Sequence, residues 1–163
     1  LEVHLYVTNP ENQIASFVES GCDILSFQVE GCKDPQRIVD YARKLRVKVG
    51  VGLLHRTPLH VVERVMDSID TLILVPRSIQ PGFRGLFIPE ALANISRARR
   101  IVHERELTLD IEADGGMNYA TATHAVKSGA TVIVVGSALF GRSSYERIIH
   151  AFRSIETGST IRV

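Results

Sequence analysis

An excess of charge of either sign is the first thing this sequence lacks. Lysine and arginine number 19, aspartate and glutamate 18, and the formal net charge is only +1. A chain so balanced presents no electrostatic case for a nucleic-acid partner or an anionic membrane surface. Long hydrophobic runs are missing too: none approaches the roughly 20 apolar residues that a membrane span requires. No signal-peptide pattern opens the chain, which begins at Leu1, so the expected compartment is the cytoplasm. Cysteine is scarce. Cys22 and Cys32 are the only two, which leaves no disulfide framework, and neither has a second cysteine at metal-ligand spacing. Cys22, just after a helix-ending glycine, reads as a small core residue. With no proline-rich or low-complexity linker, the 163 residues are expected to form one domain, 1–163, around one core.

What is present is alternation. Hydrophobic residues make up 45% and charged residues 23% of the chain, the balance of a globular domain. The runs "VHLYV", "DILSFQV", "VKVGVGLL", "TLILV", "LDIEA" and "TVIVV" are rich in Val, Ile and Leu on nearly every position, as strands are when both faces are covered. Helix punctuation lies between them. Asn9-Pro10, Asp34-Pro35 and Thr57-Pro58 each set a capping side chain before a proline suited to a first helical turn, and Gly21 and Gly129 follow periodic stretches where a left-handed residue closes a helix. "ESGCDILSF" and "KSGATVIVV" form a weak internal repeat of helix end, Ser-Gly, short link and strand. Strand-then-helix units joined by short links imply an α/β fold with a parallel sheet. Length favours an open doubly wound sheet, because a closed barrel normally takes at least about 200 residues.

Ligands of either architecture sit at the carboxyl ends of parallel strands. Asp114 closes "LDIEA", with Gly115 and Gly116 behind it; Gly136 and Ser137 follow "TVIVV"; and "PGFRG", Pro81 to Gly85, lies beyond "TLILV". Glycines at strand ends let backbone N–H groups close on an anion. Three such ends in consecutive units look like three sides of a phosphate cradle, although each alone is also a plain tight turn. Asp114 reads either as a helix cap or as a catalytic or metal-binding group, and Asn118 is the better-placed cap for "YATATHAV". His4, in the first strand, reads as a core histidine or as a ligand at the same mouth.

The segments "VHLYVTNP", "FVESGCDILSFQVE", "KVGVGLLHRTPL", "PGFRGLFIPEAL", "IEADGGM" and "GATVIVVGSALFG" occur in the order and spacing of the ribulose-phosphate 3-epimerase family, which the chain resembles over nearly its whole length. The resemblance implies a (β/α)8 TIM barrel of which this chain covers about units three to eight, the N-terminal units with further metal ligands and one acid/base group having no counterpart before Leu1. It implies an isomerase that epimerises C3 of a phosphorylated ketose, ribulose 5-phosphate to xylulose 5-phosphate by family default, through an enediolate made by two acid/base groups and a cation. Asp114 matches the catalytic aspartate that also ligates the metal. His4 matches a metal-ligating histidine, and the metal is a divalent ion such as zinc, iron, manganese or cobalt. Gly85, Gly116, Gly136 and Ser137 match the phosphate cradle, with Gly82 a weaker candidate. A small sugar phosphate and a second copy of the chain are the implied partners, with no nucleic acid and no membrane.

The sequence also departs from the family pattern. Leu54, His55 and Arg56 stand where Asn-Pro-Ala is usual, Gln28 where a histidine is, Arg77 where a methionine is expected near the substrate, and Arg84 and Leu86 in the glycine loop. The alternative implied by these departures is a non-catalytic or altered-specificity paralogue that still binds a sugar phosphate.

Overall fold

The computed structural model describes residues 1–78, 85–142 and 144–155. Within them six strands alternate with five α-helices: β1 (Glu2–Leu5), α1 (Ile14–Glu19), β2 (Ile24–Gln28), α2 (Pro35–Lys44), β3 (Lys48–Leu54), β4 (Thr71–Val75), α3 (Leu92–Glu104), β5 (Asp110–Asp114), α4 (Tyr119–Lys127), β6 (Val132–Val134) and α5 (Tyr145–Arg153). Every strand expected from the sequence is present.

Helix ends follow local chemistry where the cap residue can adopt an extended backbone. Asp34 does so, accepting from the Arg37 N–H at 3.2 Å ahead of Pro35, and α2 then buries Ile38, Val39 and Ala42. Asn118 starts α4 with a reciprocal cap: its side chain accepts from the Ala120 and Thr121 N–H groups while Thr121 Oγ1 accepts from its own N–H. Gly21 and Gly129, at φ +92° and +114°, close α1 and α4 as expected. Two expectations fail. Asn9 is left-handed, with φ 52°, and makes no side-chain cap; Pro10 opens only a single 3-10 turn before α1. Thr57-Pro58 opens no α-helix, and the segment holds two 3-10 turns, Leu59–Val61 and Met66–Ser68. The buried residues there are Leu59, Val62, Val65, Met66 and Ile69, and the three valines at 61, 62 and 65 add little helix propensity.

The six strands form one parallel sheet in the order β1-β2-β3-β4-β5-β6. Each crossover therefore steps to the next neighbour in the same direction, and there is no reversal of the kind that defines a doubly wound sheet. The sheet also curls. His4 on β1 and Asp114 on β5 are four strands apart, which in a flat sheet means about 19 Å at about 4.8 Å per strand, yet His4 Nδ1 lies 3.9 Å from Asp114 Oδ2. Winding order and curl together make this a six-stranded arc of a (β/α) barrel, so the open sheet favoured by length alone is set aside.

The two faces of the arc differ in chemistry. Leu25, Phe27, Val49, Val51, Leu53, Leu72, Ile111 and Ala113 are fully buried against the helices, and a side chain such as Phe27 contributes roughly 1.5–3 kcal/mol by its burial. The alternate residues line the concave face, and many are polar or glycine: Glu2, His4, Ser26, Gln28, Gly50, Gly52, Glu112 and Asp114. The glycines make room there. A Cβ at Gly50 would meet Ser26 Oγ at 2.1 Å, and Ser26 instead donates to Glu2 Oε1 at 2.7 Å.

Candidate active site

The concave face opens at the carboxyl ends of the strands, where His4, Tyr6, Gln28, Arg77 and Asp114 meet. His4 Nδ1 faces Asp114 Oδ2 at 3.9 Å, the two side chains being 15% and 20% exposed. Tyr6, just beyond β1, stacks on His4 with ring centroids 4.4 Å apart and donates its hydroxyl to Asp114 Oδ2 at 3.4 Å. Gln28 and Gly52 are register partners on β2 and β3. The His4 ring and the Gln28 amide occupy the space above Gly52, where a Cβ would lie 2.8 Å from both His4 Nε2 and Gln28 Oε1.

Burial sets the proton affinities here. It lowers the His4 pKa from 6.5; the Asp114 carboxylate opposes that shift and the Arg77 guanidinium reinforces it, so the imidazole is neutral at pH 7. The Tyr6 phenol is pushed up to about 12, by burial first and then by Asp114, against hydrogen bonding from Gln28 and Arg77, so it stays protonated and can donate to Asp114. Glu112, one layer deeper and 4% exposed, is pushed up to about 8 by burial and by the neighbouring Glu2, Asp114 and Asp110.

Gly115 and Gly116 behind Asp114 approach the chain that follows β4. Residues 76–78 and 85–88 run antiparallel, held by Ser78 N–H to Leu86 O, Gly85 N–H to Ser78 O and Ile88 N–H to Pro76 O, each 2.8 Å, with a bridge between Arg77 and Phe87. Arg77 lies across Gly115, where a Cβ would come within 2.3 Å of the arginine Cδ, and Gly116 sits under Gly85 and Phe87, with the Gly85 carbonyl 3.4 Å from the place of its missing Cβ. Both glycines have positive φ, +111° and +71°, so a side chain at either would meet neighbours and backbone strain together. His55 Nδ1 contacts the Arg77 carbonyl at 3.1 Å, so this histidine braces the ribbon.

The residues expected to form a phosphate cradle fall into two groups. Gly85 and Gly116 are brought together, although the Gly85 N–H is spent on Ser78. Gly136 and Ser137 begin the exposed turn after β6, whose Leu139 and Phe140 N–H groups return to the Gly136 carbonyl at 2.9 and 3.0 Å. Among the described residues the N–H groups of Gly116, Gly136 and Ser137 donate to no backbone carbonyl. Gly82 and Arg84 lie outside the described residues.

A neutral imidazole and a carboxylate facing one another are a donor pair suited to zinc, iron, manganese or cobalt, and in kind His4 and Asp114 fit a divalent ion. In number they supply two donors, and among the described residues no group of three or more His, Cys, Asp or Glu converges to hold a metal.

Reading the strand ends singled out Asp114 and His4, which the fold brings together, and passed over Tyr6 and Glu112, which lie beside them. The signal was there at period two: "DIEAD" alternates acids with buried apolar residues, as do Glu2, His4 and Tyr6 along the first strand.

A histidine and a carboxylate meeting at the carboxyl ends of a curled parallel sheet stand where (β/α)-barrel enzymes hold their ligands. The chain belongs to the ribulose-phosphate 3 epimerase family, whose model matches residues 1–140. It is 37% identical over 155 residues to the ribulose-phosphate 3-epimerase of Bacillus subtilis, covering 94% of this chain and 70% of that protein. It is 33% identical over 166 residues to the chloroplastic ribulose-5-phosphate-3-epimerase of Arabidopsis thaliana, covering 100% of this chain and 58% of that protein. Among solved structures, an IMP dehydrogenase/GMP reductase-like protein from Corynebacterium glutamicum superposes with a TM-score of 0.62 at 20% identity, over 83% of this chain and 38% of that one; this likeness is one of fold. No described helix is long and apolar enough to cross a membrane.

Proposed function

We propose that the chain carries the Asp114 half of a two-base epimerase site acting on C3 of a phosphorylated ketose, with ribulose 5-phosphate as the substrate. The observation that carries this reading is the meeting of His4, Tyr6 and Asp114 across the curl of the sheet, at 3.9 and 3.4 Å. Family membership and the relatives' names supply the reaction class. The six strands are read as the third to eighth of a (β/α)8 barrel, in keeping with the 58–70% of the relatives' length that the chain spans.

In this reading the Asp114 carboxylate takes the C3 proton. An O–H bond forms, the C3–H bond breaks, and its electron pair moves through C2 onto the ketone oxygen as an enediolate. Tyr6 holds the receiving oxygen by its hydroxyl, and His4, kept neutral, stands ready as a ligand. A divalent ion held by His4 and Asp114 would supply, when bound, positive charge to the oxygen that becomes negative. The N–H groups of Gly116, Gly136 and Ser137 bind the phosphate and so fix where C3 falls, while Gly85 contributes close backbone approach. A second acid/base group on the opposite face returns the proton.

Replacing Asp114 by Asn in the complete protein tests the assignment. The amide keeps the shape and loses the base, so exchange of the C3 hydrogen with solvent should vanish while inhibition by inorganic phosphate persists. Exchange at the parent rate would show that Asp114 is not the base.

A further inference from the structure

Four buried side-chain atoms have no hydrogen-bond partner among the described residues: His4 Nε2, Gln28 Nε2, Gln28 Oε1 and Arg77 Nε. Such atoms are rare in native proteins, and each calls for an explanation. They are not scattered. His4 Nε2 and the Gln28 amide share the space above Gly52, and Arg77 reaches the same mouth over Gly115, close enough for its charge to act on both His4 and Tyr6. Gln28 is only 4% exposed, so its amide has given up water, and among the described residues it makes no hydrogen bond of good geometry. The Tyr6 phenol lies beside this amide and Arg77, near enough for both to act on it by hydrogen bonding, but its hydroxyl is directed at Asp114 Oδ2, 3.4 Å away.

The donors and acceptors left open describe a ligand. An amide offers both an N–H donor and a carbonyl acceptor, and the arginine Nε offers a donor only. A carbonyl flanked by a hydroxyl satisfies the Gln28 and Arg77 atoms: the two lone pairs of the carbonyl oxygen accept from Arg77 Nε–H and Gln28 Nε2–H, and the hydroxyl donates to Gln28 Oε1. The N–H groups of Gly116, Gly136 and Ser137, which donate to no backbone carbonyl among the described residues, lie beyond β5 and β6, whereas Gln28 is on β2 and Arg77 follows β4. An extended ligand with its anionic end at the glycines would therefore bring its other end to the amide. We propose that Gln28 and Arg77 are specificity-determining residues that bind the hydroxyketone end of the substrate, remote from its phosphate. This assignment rests on the ketose-phosphate reading given above.

The test compares Gln28→Met and Arg77→Met with the parent in the complete protein. Each variant keeps length and removes the hydrogen-bonding groups. Each should raise KM for ribulose 5-phosphate about 10-fold, the scale of one lost hydrogen bond in a buried site, and leave inhibition by inorganic phosphate unchanged. Thermal melting separates substrate binding from scaffolding. A methionine at 28 removes unpartnered buried polar atoms, so Gln28→Met should melt at the parent temperature or above it, whereas a structural glutamine would lose stability. Unchanged KM in both variants, or a melting loss in Gln28→Met with KM unmoved, overturns the proposal. If the parent turns over no ketose phosphate, the functional reading fails separately, and the assignment is then decided by titration calorimetry. A preference for ribulose 5-phosphate over inorganic phosphate that Gln28→Met abolishes sustains it, and equal affinities refute it.

Discussion

A single methyl group at Gly52 should disturb both stability and chemistry. The Cβ of Gly52→Ala would lie 2.8 Å from His4 Nε2 and from Gln28 Oε1, and 3.1 Å from Gln28 Cδ. Ordinary contact begins at 3.4 Å, so both side chains must retreat by about 0.6 Å. Both clashing atoms are side-chain ends that can turn aside, but Gln28 is 4% exposed and any shift of the His4 ring disturbs its contacts with Tyr6 and Asp114. Overpacking of this kind costs about 1–3 kcal/mol, and relief of glycine's backbone entropy returns about 0.5–1 kcal/mol. A net loss of about 1 kcal/mol, and at most about 2.5 kcal/mol, is expected, and for a domain of this size about 1 kcal/mol lowers Tm by roughly 2–4 °C. The displaced imidazole should also spoil the geometry around Asp114 and slow C3 hydrogen exchange by about 10-fold or more, because misplacement of catalytic groups on the ångström scale is costly. Urea unfolding and solvent-isotope exchange on parent and variant measure the two effects. A Gly52→Ala protein that is as stable and as active as the parent would refute the packing on which the site description rests.

Other perturbations separate fold from function. Gly136 has nothing within 4 Å of an added Cβ, so Gly136→Ala should leave the melting temperature within about 2 °C of the parent, by glycine's small entropic term, while weakening inhibition by inorganic phosphate; undiminished inhibition would remove this residue from the cradle. Asn118→Ala leaves the Ala120 and Thr121 N–H groups without their acceptor and should cost about 1 kcal/mol in denaturant unfolding. Cys32 donates its thiol to the Val29 carbonyl at 3.2 Å and is pushed up to about 11 from 9.0, by burial first and then by Glu11, Asp34 and Glu30. Its thiolate fraction at pH 8 is then about 100-fold below that of a thiol of pKa 9.0. Its alkylation rate should keep rising with pH to about 11; a plateau near pH 9 would contradict the burial assigned to it.

The sequence alone determined the six strands and several of the helix ends. Continuous Val, Ile and Leu runs become parallel strands because both faces of the sheet are occupied, and Asp34, Asn118, Gly21 and Gly129 mark helix ends because capping and left-handed closure depend on a few adjacent residues. Asp114 was legible because a carboxylate at a strand end, with a better cap four residues on, needs another explanation. Three things were decided only by tertiary structure. Curl brings β1 to β5, so that His4, Tyr6 and Asp114 meet across 108 residues of chain or more, and strand curvature is a property of the whole sheet. Gly115 and Gly116 serve the packing of the Arg77 ribbon, which no local pattern announces because the partner lies in another unit. The orphaned Gln28 amide is visible only once burial is known: on a strand read by composition it is one polar residue among apolar ones, and the fold alone turns it toward the concave face and denies it water.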